Sequence, residues 1–204
     1  MNDTSLSLDN LAAGLGDPVH DSQAIFRVLL DTLSRPGTLG RIQPVLDADG
    51  PLAHIPCSAF AALLTLADYA TPVWIQQHDD ALAATVRFHT GAPIAQHANE
   101  AAFAYIHEAA DIPAADTFAL GEPETPDRST TLLIRVDALE GGRPLTLSGP
   151  GIESSVTIAP RGIPDAFWHA RAELAPAFPC GIDCYLVCGA ELMGIPRTTL
   201  VEMN

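Results

Sequence analysis

The chain has 204 residues, with 10 arginines, no lysine and 25 acidic residues, so its formal net charge is -15. A pyridoxal phosphate enzyme needs a lysine amine for its Schiff base, and a P-loop needs the lysine of its GxxxxGK[ST] motif, so this chain alone can build neither. The negative charge, with no run of basic residues beside it, also argues against binding to nucleic acid or to an anionic membrane surface.

The length fits one domain, and the composition is globular, with 48% hydrophobic and 17% charged residues. The start of the chain lacks the features of a secretory signal, and the longest apolar stretch, 59–67, is too short to span a bilayer. We therefore expect a cytoplasmic protein. Residues 1–16 are predicted to form a loose N-terminal arm, followed by a single domain over 17–204.

Helical periodicity, with capping and stop residues at its ends, predicts four helices. In the first, Ser22, Phe26, Leu29 and Leu33 form one stripe, with Asp21 as the predicted cap. The second is apolar on most sides, which indicates packing on more than one face. The predicted bounds are 20–34, 58–69, 79 or 80 to 90, and 164–174.

Short β-branched and apolar runs predict strands between these helices. Residues 112–128 are interpreted as a surface loop with a short helical turn, and Gly149-Pro150-Gly151 as a hairpin turn. Together these elements predict an α/β fold with a single mixed, largely antiparallel sheet flanked by helices. The predicted strands are 38–42, 73–76, 103–108, 130–136, 143–147, 155–159, 182–189 and 191–195.

Three cysteines have a C-x3-C-x3-C spacing, which on a helix would place them on one side. The flanking residues favour a strand, on which Cys184 and Cys188 lie about 13 Å apart, whereas Zn–S bonds are only about 2.3 Å long. We therefore predict no metal site. In a cytoplasmic protein Cys57, Cys180, Cys184 and Cys188 are expected to be reduced, and the three late ones, Cys180, Cys184 and Cys188, are expected to be buried and inert thiols.

Several polar residues lie where either a ligand contact or a structural role is possible. Asp68 comes near the C-terminal end of the second helix, where the helix dipole disfavours a carboxylate, so either an arginine partner or a ligand should compensate it. His89 continues the stripe of Leu82 and Val86, which favours a hydrogen-bonded core histidine over a charged helix-end residue.

Arg87, Arg143 and Arg197 lie at the ends of predicted elements, where a forked guanidinium can meet a carboxylate or a phosphate. In so acidic a chain, structural ion pairs are the alternative for each of them. No GxSxG elbow and no HExxH motif is present, so no catalytic residue is assigned.

Five segments taken together closely resemble the PhnH family, subunits of the bacterial carbon-phosphorus lyase system for phosphonate use. The helical opening HDSQAIFRVLLDTLSRPG matches as well, so the resemblance covers nearly the whole chain from about residue 14. The five segments are LLTLADYATPVW at 63–74, RFHTGAP at 87–93, GGRPLTLSGPGI at 141–152, FPCGID at 178–183 and IPRTT at 195–199.

The resemblance implies a subunit that acts with companion subunits to displace adenine from ATP and attach the ribose triphosphate to a phosphonate such as methylphosphonate. A separate radical-SAM subunit then cleaves the C-P bond. It further implies a fold that is a reduced form of the large domain of pyridoxal phosphate-dependent transferases, without that cofactor. The implied assembly is a homodimer with other lyase core subunits as partners, and Mg-ATP is the implied substrate of the complex. The absence of lysine fits this picture.

The positions that match the family's motifs are candidates for a ligand or interface surface, and we expect Arg143→Ala and Arg197→Ala to impair the complex more than folding. Two alternatives stay open: a self-sufficient, arginine-based nucleotide-dependent transferase helped by Mg²⁺, and an acidic binding protein without catalysis. Either the few arginines gather at one anion-facing surface or the phosphates are bound elsewhere in the complex, and we favour the second. The candidates are Asp68, Thr71, Arg87, His89, Thr90, Arg143, Asp183, Arg197 and Thr198.

Overall fold

Capping side chains set the ends of two helices in the computed structural model, which describes residues 11–43, 45–46 and 49–203. Helix α1 (Pro18–Ser34) begins after Asp17, whose carboxylate accepts hydrogen bonds from two backbone N–H groups of the first turn. Helix α3 (Asp80–Thr90) begins after Asp79 in the same way and ends at Gly91, whose φ of 74° is the left-handed conformation that glycine adopts easily.

The other two α-helices of the described residues, α2 (Cys57–Leu66) and α4 (Asp165–Glu173), have no side-chain cap at their N-termini. All four predicted helices are confirmed, with α2 ending three residues early. None of the helices in the described part of the chain has the length and apolar content of a membrane span.

Nine strands of the described residues form two sheets. In the six-stranded sheet the order is β1-β8-β7-β4-β3-β2. Strands β2, β3, β4 and β7 are parallel to one another, β8 pairs antiparallel with β7, and β1 pairs antiparallel with β8. The three-stranded sheet is antiparallel, in the order β6-β5-β9. The strands are β1 (Leu39–Arg41), β2 (Val73–Ile75), β3 (Phe103–Ile106), β4 (Thr131–Arg135), β5 (Leu145–Ser148), β6 (Val156–Ile158), β7 (Asp183–Cys188), β8 (Glu191–Ile195) and β9 (Leu200–Met203).

The prediction of one largely antiparallel sheet is therefore wrong, although the α/β class and the mixed sheet are confirmed. The parallel centre of the main sheet is buried on both faces, as parallel strands usually are, and such strands are continuous apolar runs such as Leu132–Ile134. The predicted hairpin at 149–151 is confirmed, since this segment lies in the connection between the antiparallel strands β5 and β6.

The two buried faces of the main sheet hold separate cores. Tyr105 and Leu133 point to the face covered by α1, α2 and α3. Ile106, Leu132 and Ile134 point to the opposite face, which is covered by the three-stranded sheet and α4. The sheet is thus the middle of three layers, and its strand ends are the places where polar side chains meet solvent.

Two details of α1 differ from the prediction. The N-cap is Asp17, while Asp21 lies in the first turn and accepts a hydrogen bond from the backbone N–H of Asp17. The buried stripe runs through Ile25, Leu29 and Thr32, and Phe26 is 48% exposed. The apolar residues of α1 fit either stripe, and packing against α2 and β8 selects the one that contains Ile25.

Most of the predicted N-terminal arm, residues 1–10, lies outside the described residues. Residues 11–16 contain no helix or strand, but Ala12 is buried and its backbone N–H donates to the hydroxyl of Thr85 on α3. This end of the arm is therefore held against α3. The boundary at residue 17 stays a prediction.

Candidate functional site

The positions selected by family resemblance lie in separate parts of the molecule. Arg197 and Asp183 form the most buried of these groups, at the amino end of β7. The guanidinium of Arg197 contacts the Asp183 carboxylate at 2.5 Å, and its backbone N–H donates to the same carboxylate at 2.7 Å. Only 17% and 19% of the two side chains are exposed.

The remaining guanidinium hydrogens of Arg197 are bonded to protein groups as well. One nitrogen donates to the carbonyls of Pro126 and Pro179, and another to the hydroxyl of Ser129. Arg197 therefore ties β7 to the segment before β4 and to the β8–β9 connection. This arrangement favours the structural ion pair among the alternatives given for Arg197, and Thr198 follows it as a partly buried residue of the same connection.

Arg143 contacts Asp165 at 2.5 Å, which joins the segment before β5 to the first turn of α4. Both side chains are about half exposed. Attraction between exposed charges of this kind stabilises a protein only weakly.

A third group of candidates lies where α2 and α3 end. The Asp68 carboxylate accepts from the backbone N–H of Ala70 and the hydroxyl of Thr71, so a turn, and not an arginine, is its partner among the described residues. Gly91 approaches Tyr69 in this turn. The Thr90 hydroxyl donates to the Val86 carbonyl, and Arg87 is exposed on α3.

His89 belongs to the same surface and differs from the prediction. Its Nε2 lies 3.0 Å from the Ala12 carbonyl, so the ring is hydrogen-bonded, but the residue is exposed and not part of the core. The reason is that the apolar stripe of α3 ends at Val86, one turn before the end of the helix.

A different group of polar residues meets at the carboxyl edge of the parallel strands. His107 directly follows β3, and Arg135 is the last residue of the neighbouring strand β4. The Arg135 guanidinium lies 3.0 Å from Nε2 of His107. Because an arginine only donates, this Nε2 is an acceptor, and the imidazole proton is on Nδ1, which lies 3.4 Å from the hydroxyl of Tyr105.

The electrostatic surroundings keep this histidine neutral. Burial lowers the pKa of His107, and the nearby positive charges of Arg135 and His54 lower it further. Burial also raises the pKa of Tyr105 well above its ordinary value, so the phenol keeps its proton. A neutral His107 can therefore hold Arg135 in one orientation without competing for the anion that an arginine attracts.

His54 lies on the other side of His107, with its ring 5.8 Å away in an edge-to-face arrangement. Nε2 of His54 is 2.7 Å from the carboxylate of Asp79, which is fixed because it also caps α3. A carboxylate that orients an imidazole in this way is a common device for holding a proton at a defined place.

A cleft of about 740 Å³ opens beside these residues, and we call it the arginine cleft. It begins at His54 and Arg135, passes the first turn of α2 at Cys57 and the end of β7 at Cys188, and reaches Arg161. Arg161 is brought there by backbone hydrogen bonds between the segments that follow β4 and β6. Ligand sites in α/β proteins commonly occupy this edge of a sheet, so the arginine cleft is the candidate functional site.

The cysteines do not form a centre of their own. Cys184 lies on β7, as predicted, and is buried, which raises the pKa of its thiol to about 11. Cys180 and Cys188 are only partly buried, so the prediction of buried thiols is wrong for these two, and Cys57 is partly buried as well. The Sγ atoms of Cys57 and Cys188 face backbone carbonyls at 3.4 and 3.7 Å.

Sequence reasoning missed the arginine cleft. Its residues come from five distant segments, and no short motif joins them. The available signal was a single polar residue directly after an apolar strand, as in Ile106-His107 and Ile134-Arg135. That signal places the two residues side by side only if the strands are known to be parallel.

Similarity to other proteins extends over the whole domain. A family model described as bacterial phosphonate metabolism protein (PhnH) matches residues 13–202. Over 193 residues the chain is 41% identical to the alpha-D-ribose 1-methylphosphonate 5-triphosphate synthase subunit PhnH of Rhizobium meliloti (strain 1021), covering 94% of this chain and 95% of that protein. It is 30% identical over 190 residues to a protein of Stutzerimonas stutzeri provisionally named C-P lyase subunit protein HtxG, covering 89% and 86%.

Proposed function

The chain belongs to the PhnH family of bacterial phosphonate metabolism proteins, and we propose that it acts as a non-autonomous subunit of a carbon-phosphorus lyase core complex. The observation that carries this proposal is the 41% identity, over nearly the full length of both chains, to a subunit of alpha-D-ribose 1-methylphosphonate 5-triphosphate synthase.

In the proposed reaction a phosphonate oxygen bonds to the ribose carbon of ATP that carried adenine, and adenine leaves. The products are adenine and a ribose triphosphate joined to the phosphonate. The chain supports such a step in the complex through anion-binding arginines and through the imidazole of His54, which Asp79 orients. A subunit of this kind does not need a complete catalytic centre of its own.

The proposal extends to partners, cofactors and compartment. The partners are the other core subunits and a second copy of this chain, and the compartment is the cytoplasm. Mg-ATP is the substrate of the complex, and the chain itself uses no pyridoxal phosphate, since it has no lysine for a Schiff base. We also propose that the fold is a reduced form of the large domain of pyridoxal phosphate-dependent transferases.

Reconstitution tests this function directly. The chain is purified alone and together with its companion subunits, and adenine release is measured from Mg-ATP and methylphosphonate. We expect release by the full complex, none by the isolated chain, and a large loss when this chain is omitted.

Two results would contradict the proposal. Turnover by the isolated chain would identify a self-sufficient transferase. Full activity of the companion subunits without this chain, or failure of the chain to co-purify with them, would remove it from the complex.

A further inference from the structure

We propose that the arginine cleft, between Arg135 and Arg161, binds the doubly charged oxyanion of a phosphonate or phosphate group. This inference rests on the proposed function, because that function supplies the phosphonate and the nucleotide as the ions to be bound. The arginine cleft lies at the carboxyl ends of the neighbouring parallel strands β4 and β7, where an α/β sheet leaves room for a ligand.

The distribution of ion pairs supports this inference. Among the described residues, Arg35, Arg41, Arg143 and Arg197 each contact a carboxylate, and Arg171 is buried against backbone carbonyls. Arg135 and Arg161 have no such carboxylate within 4.0 Å in the described part of the chain, although acidic residues outnumber basic ones by 25 to 10. In the same part of the chain Arg27, Arg87 and Arg128 lack a carboxylate partner as well, but they lie outside the cleft, whereas Arg135 and Arg161 both line it.

Each of the two arginines is held in place without being neutralised. Arg135 donates to His107, an imidazole that carries no charge when it accepts this bond. Arg161 is fixed through its backbone, because its N–H donates to the Ala138 carbonyl at 2.9 Å and its carbonyl accepts from Asp137 at 3.0 Å. For Arg135 little side-chain ordering is therefore left to occur on binding, whereas the exposed Arg161 side chain is anchored at its backbone and is ordered by the ligand itself.

The rest of the lining is compatible with an anion. Helix α2 begins beside the cleft at Cys57, with no side-chain cap and no acidic residue in its first turn. The N–H of Ser58 donates to the Gly189 carbonyl, so the helix contributes the field of its positive end and not this donor. Asp137 is the acidic residue among the described residues of the lining. The carboxylate of Asp137 packs against Gly162, where a β-carbon on residue 162 would lie 3.3 Å from the Asp137 carboxyl carbon.

The net charge of -15 does not prevent binding at this place. At physiological ionic strength, charges farther away than a screening length of about 8 Å contribute little, so the nearest groups decide the local potential. The guanidinium groups of Arg135 and Arg161 line the arginine cleft against the single carboxylate of its described lining, Asp137, while the imidazole of His54 is paired with the Asp79 carboxylate at 2.7 Å. The structure thus gives a reason to revise the expectation that all phosphates are bound by partner subunits.

The polar edges of the arginine cleft suit a tetrahedral oxyanion, either free methylphosphonate or one phosphate of a nucleotide, and its volume of about 740 Å³ leaves room for a larger molecule that carries the oxyanion. A forked guanidinium donates two parallel hydrogen bonds to such an ion, which a lysine ammonium cannot do. Methanesulfonate has the same shape as methylphosphonate but one negative charge less, and it is the matched comparison ligand.

The experiment measures binding to the purified chain and to the reconstituted complex, by calorimetry and by ³¹P line broadening. Methylphosphonate without nucleotide and Mg-ATP without phosphonate are separate arms, which distinguish the two sources of the oxyanion. We expect Arg161→Gln and Arg135→Gln each to weaken the ligand by about tenfold, as loss of a charge-assisted hydrogen bond does, and the double variant to abolish binding. Methanesulfonate should bind more weakly than methylphosphonate.

Arg27→Gln is the matched control, because it removes one exposed arginine charge on α1, outside the arginine cleft. It should change affinity by less than about twofold. Arg161→Lys should recover part of the affinity, and circular dichroism with thermal unfolding verifies that each variant is folded. The proposal is overturned if the double variant binds both ligands as well as the wild type, or if neither the chain nor the complex shows binding that depends on these arginines.

These outcomes are separable from the proposed function. An active complex whose double variant still binds both ligands would disprove the arginine cleft and leave the function standing. Full activity without this chain would disprove the function, and the binding data on the purified chain would still decide whether the arginine cleft holds an oxyanion.

Discussion

The two ends of the parallel strands use arginine in opposite ways. At the amino end of β7, the guanidinium of Arg197 donates its hydrogen bonds to the Asp183 carboxylate, two proline carbonyls and the Ser129 hydroxyl. At the carboxyl end, Arg135 and Arg161 face a cleft with a neutral histidine as the one described side-chain partner. The difference teaches that the partners of an arginine, and not its position in a family motif, indicate whether it holds the fold or faces a ligand.

The largest expected effect is on stability at the amino end. Arg197→Ala leaves the Asp183 carboxylate four-fifths buried without its counter-charge, and such losses cost about 3–5 kcal/mol. Urea unfolding of the variant measures this loss, with Arg27→Ala as a control that should change the free energy of unfolding by less than about 0.5 kcal/mol. A variant as stable as the wild type but inactive in the complex would restore the original expectation that Arg197 serves function more than folding.

At the carboxyl end the expected effect is on activity. Arg161→Gln should lower adenine release by the reconstituted complex about tenfold, while the free energy of unfolding of the chain changes by less than about 0.5 kcal/mol. The reason is that Arg161 is exposed and is placed by its backbone, so its side chain contributes little to the fold. A loss of stability as large as that of Arg197→Ala would erase the contrast between the two ends.

A smaller effect is expected from His107 and depends on pH. Partial burial, Arg135 and His54 hold the pKa of His107 below 6.5 in the folded chain, although Asp79 and Glu108 act in the opposite direction. As the pH falls, His107 is therefore protonated in the unfolded chain before it is protonated in the folded one. The wild type should therefore lose stability below pH 6.5, in the window between the unfolded and folded pKa values, and gain nothing from this group above it.

His107→Gln removes this dependence, so its melting temperature should fall less than that of the wild type between pH 7.5 and 5.5. His169→Gln, a change of an exposed histidine on α4, is the control and should follow the wild type. Equal slopes for His107→Gln and the wild type would show that His107 is not kept neutral by its surroundings.

The smallest effect is expected at Arg143. Its pair with Asp165 is half exposed, and exposed ion pairs contribute about 0–1 kcal/mol. Urea unfolding of Arg143→Gln should accordingly resemble that of the wild type. A strong loss of complex assembly or of adenine release in this stable variant would support the sequence-based nomination of Arg143 for a ligand or interface surface.

Local structure was predictable from the sequence because its causes are local. The ends of α3 follow from Asp79 and Gly91, a capping carboxylate and a residue that tolerates positive φ. The hairpin at 149–151 follows from its glycines. The exposed side of α1 was not predictable, because Phe26 and Ile25 fit alternative stripes and the choice depends on what packs against the helix.

The sheet order and the arginine cleft depend on contacts between distant segments. β4 pairs with β7, which begins 48 residues after β4 ends, and β5 pairs with β9, more than fifty residues further along the chain. No local pattern encodes these pairings. Without the parallel order, His107 and Arg135 are two isolated polar residues, whereas Arg197 belongs to a segment that is recognisable in the sequence alone.

The backbone hydrogen bonds between Asp137 and Arg161 have a consequence for dynamics. They join the connection after β4, in the large sheet, to the connection after β6, in the small one. An oxyanion bound by both Arg135 and Arg161 would form a second link between the same two connections. Amide hydrogens of residues 137 and 161 should then exchange with deuterium more slowly when the ligand is bound, and those of α1, on the far side of the sheet, should be unaffected.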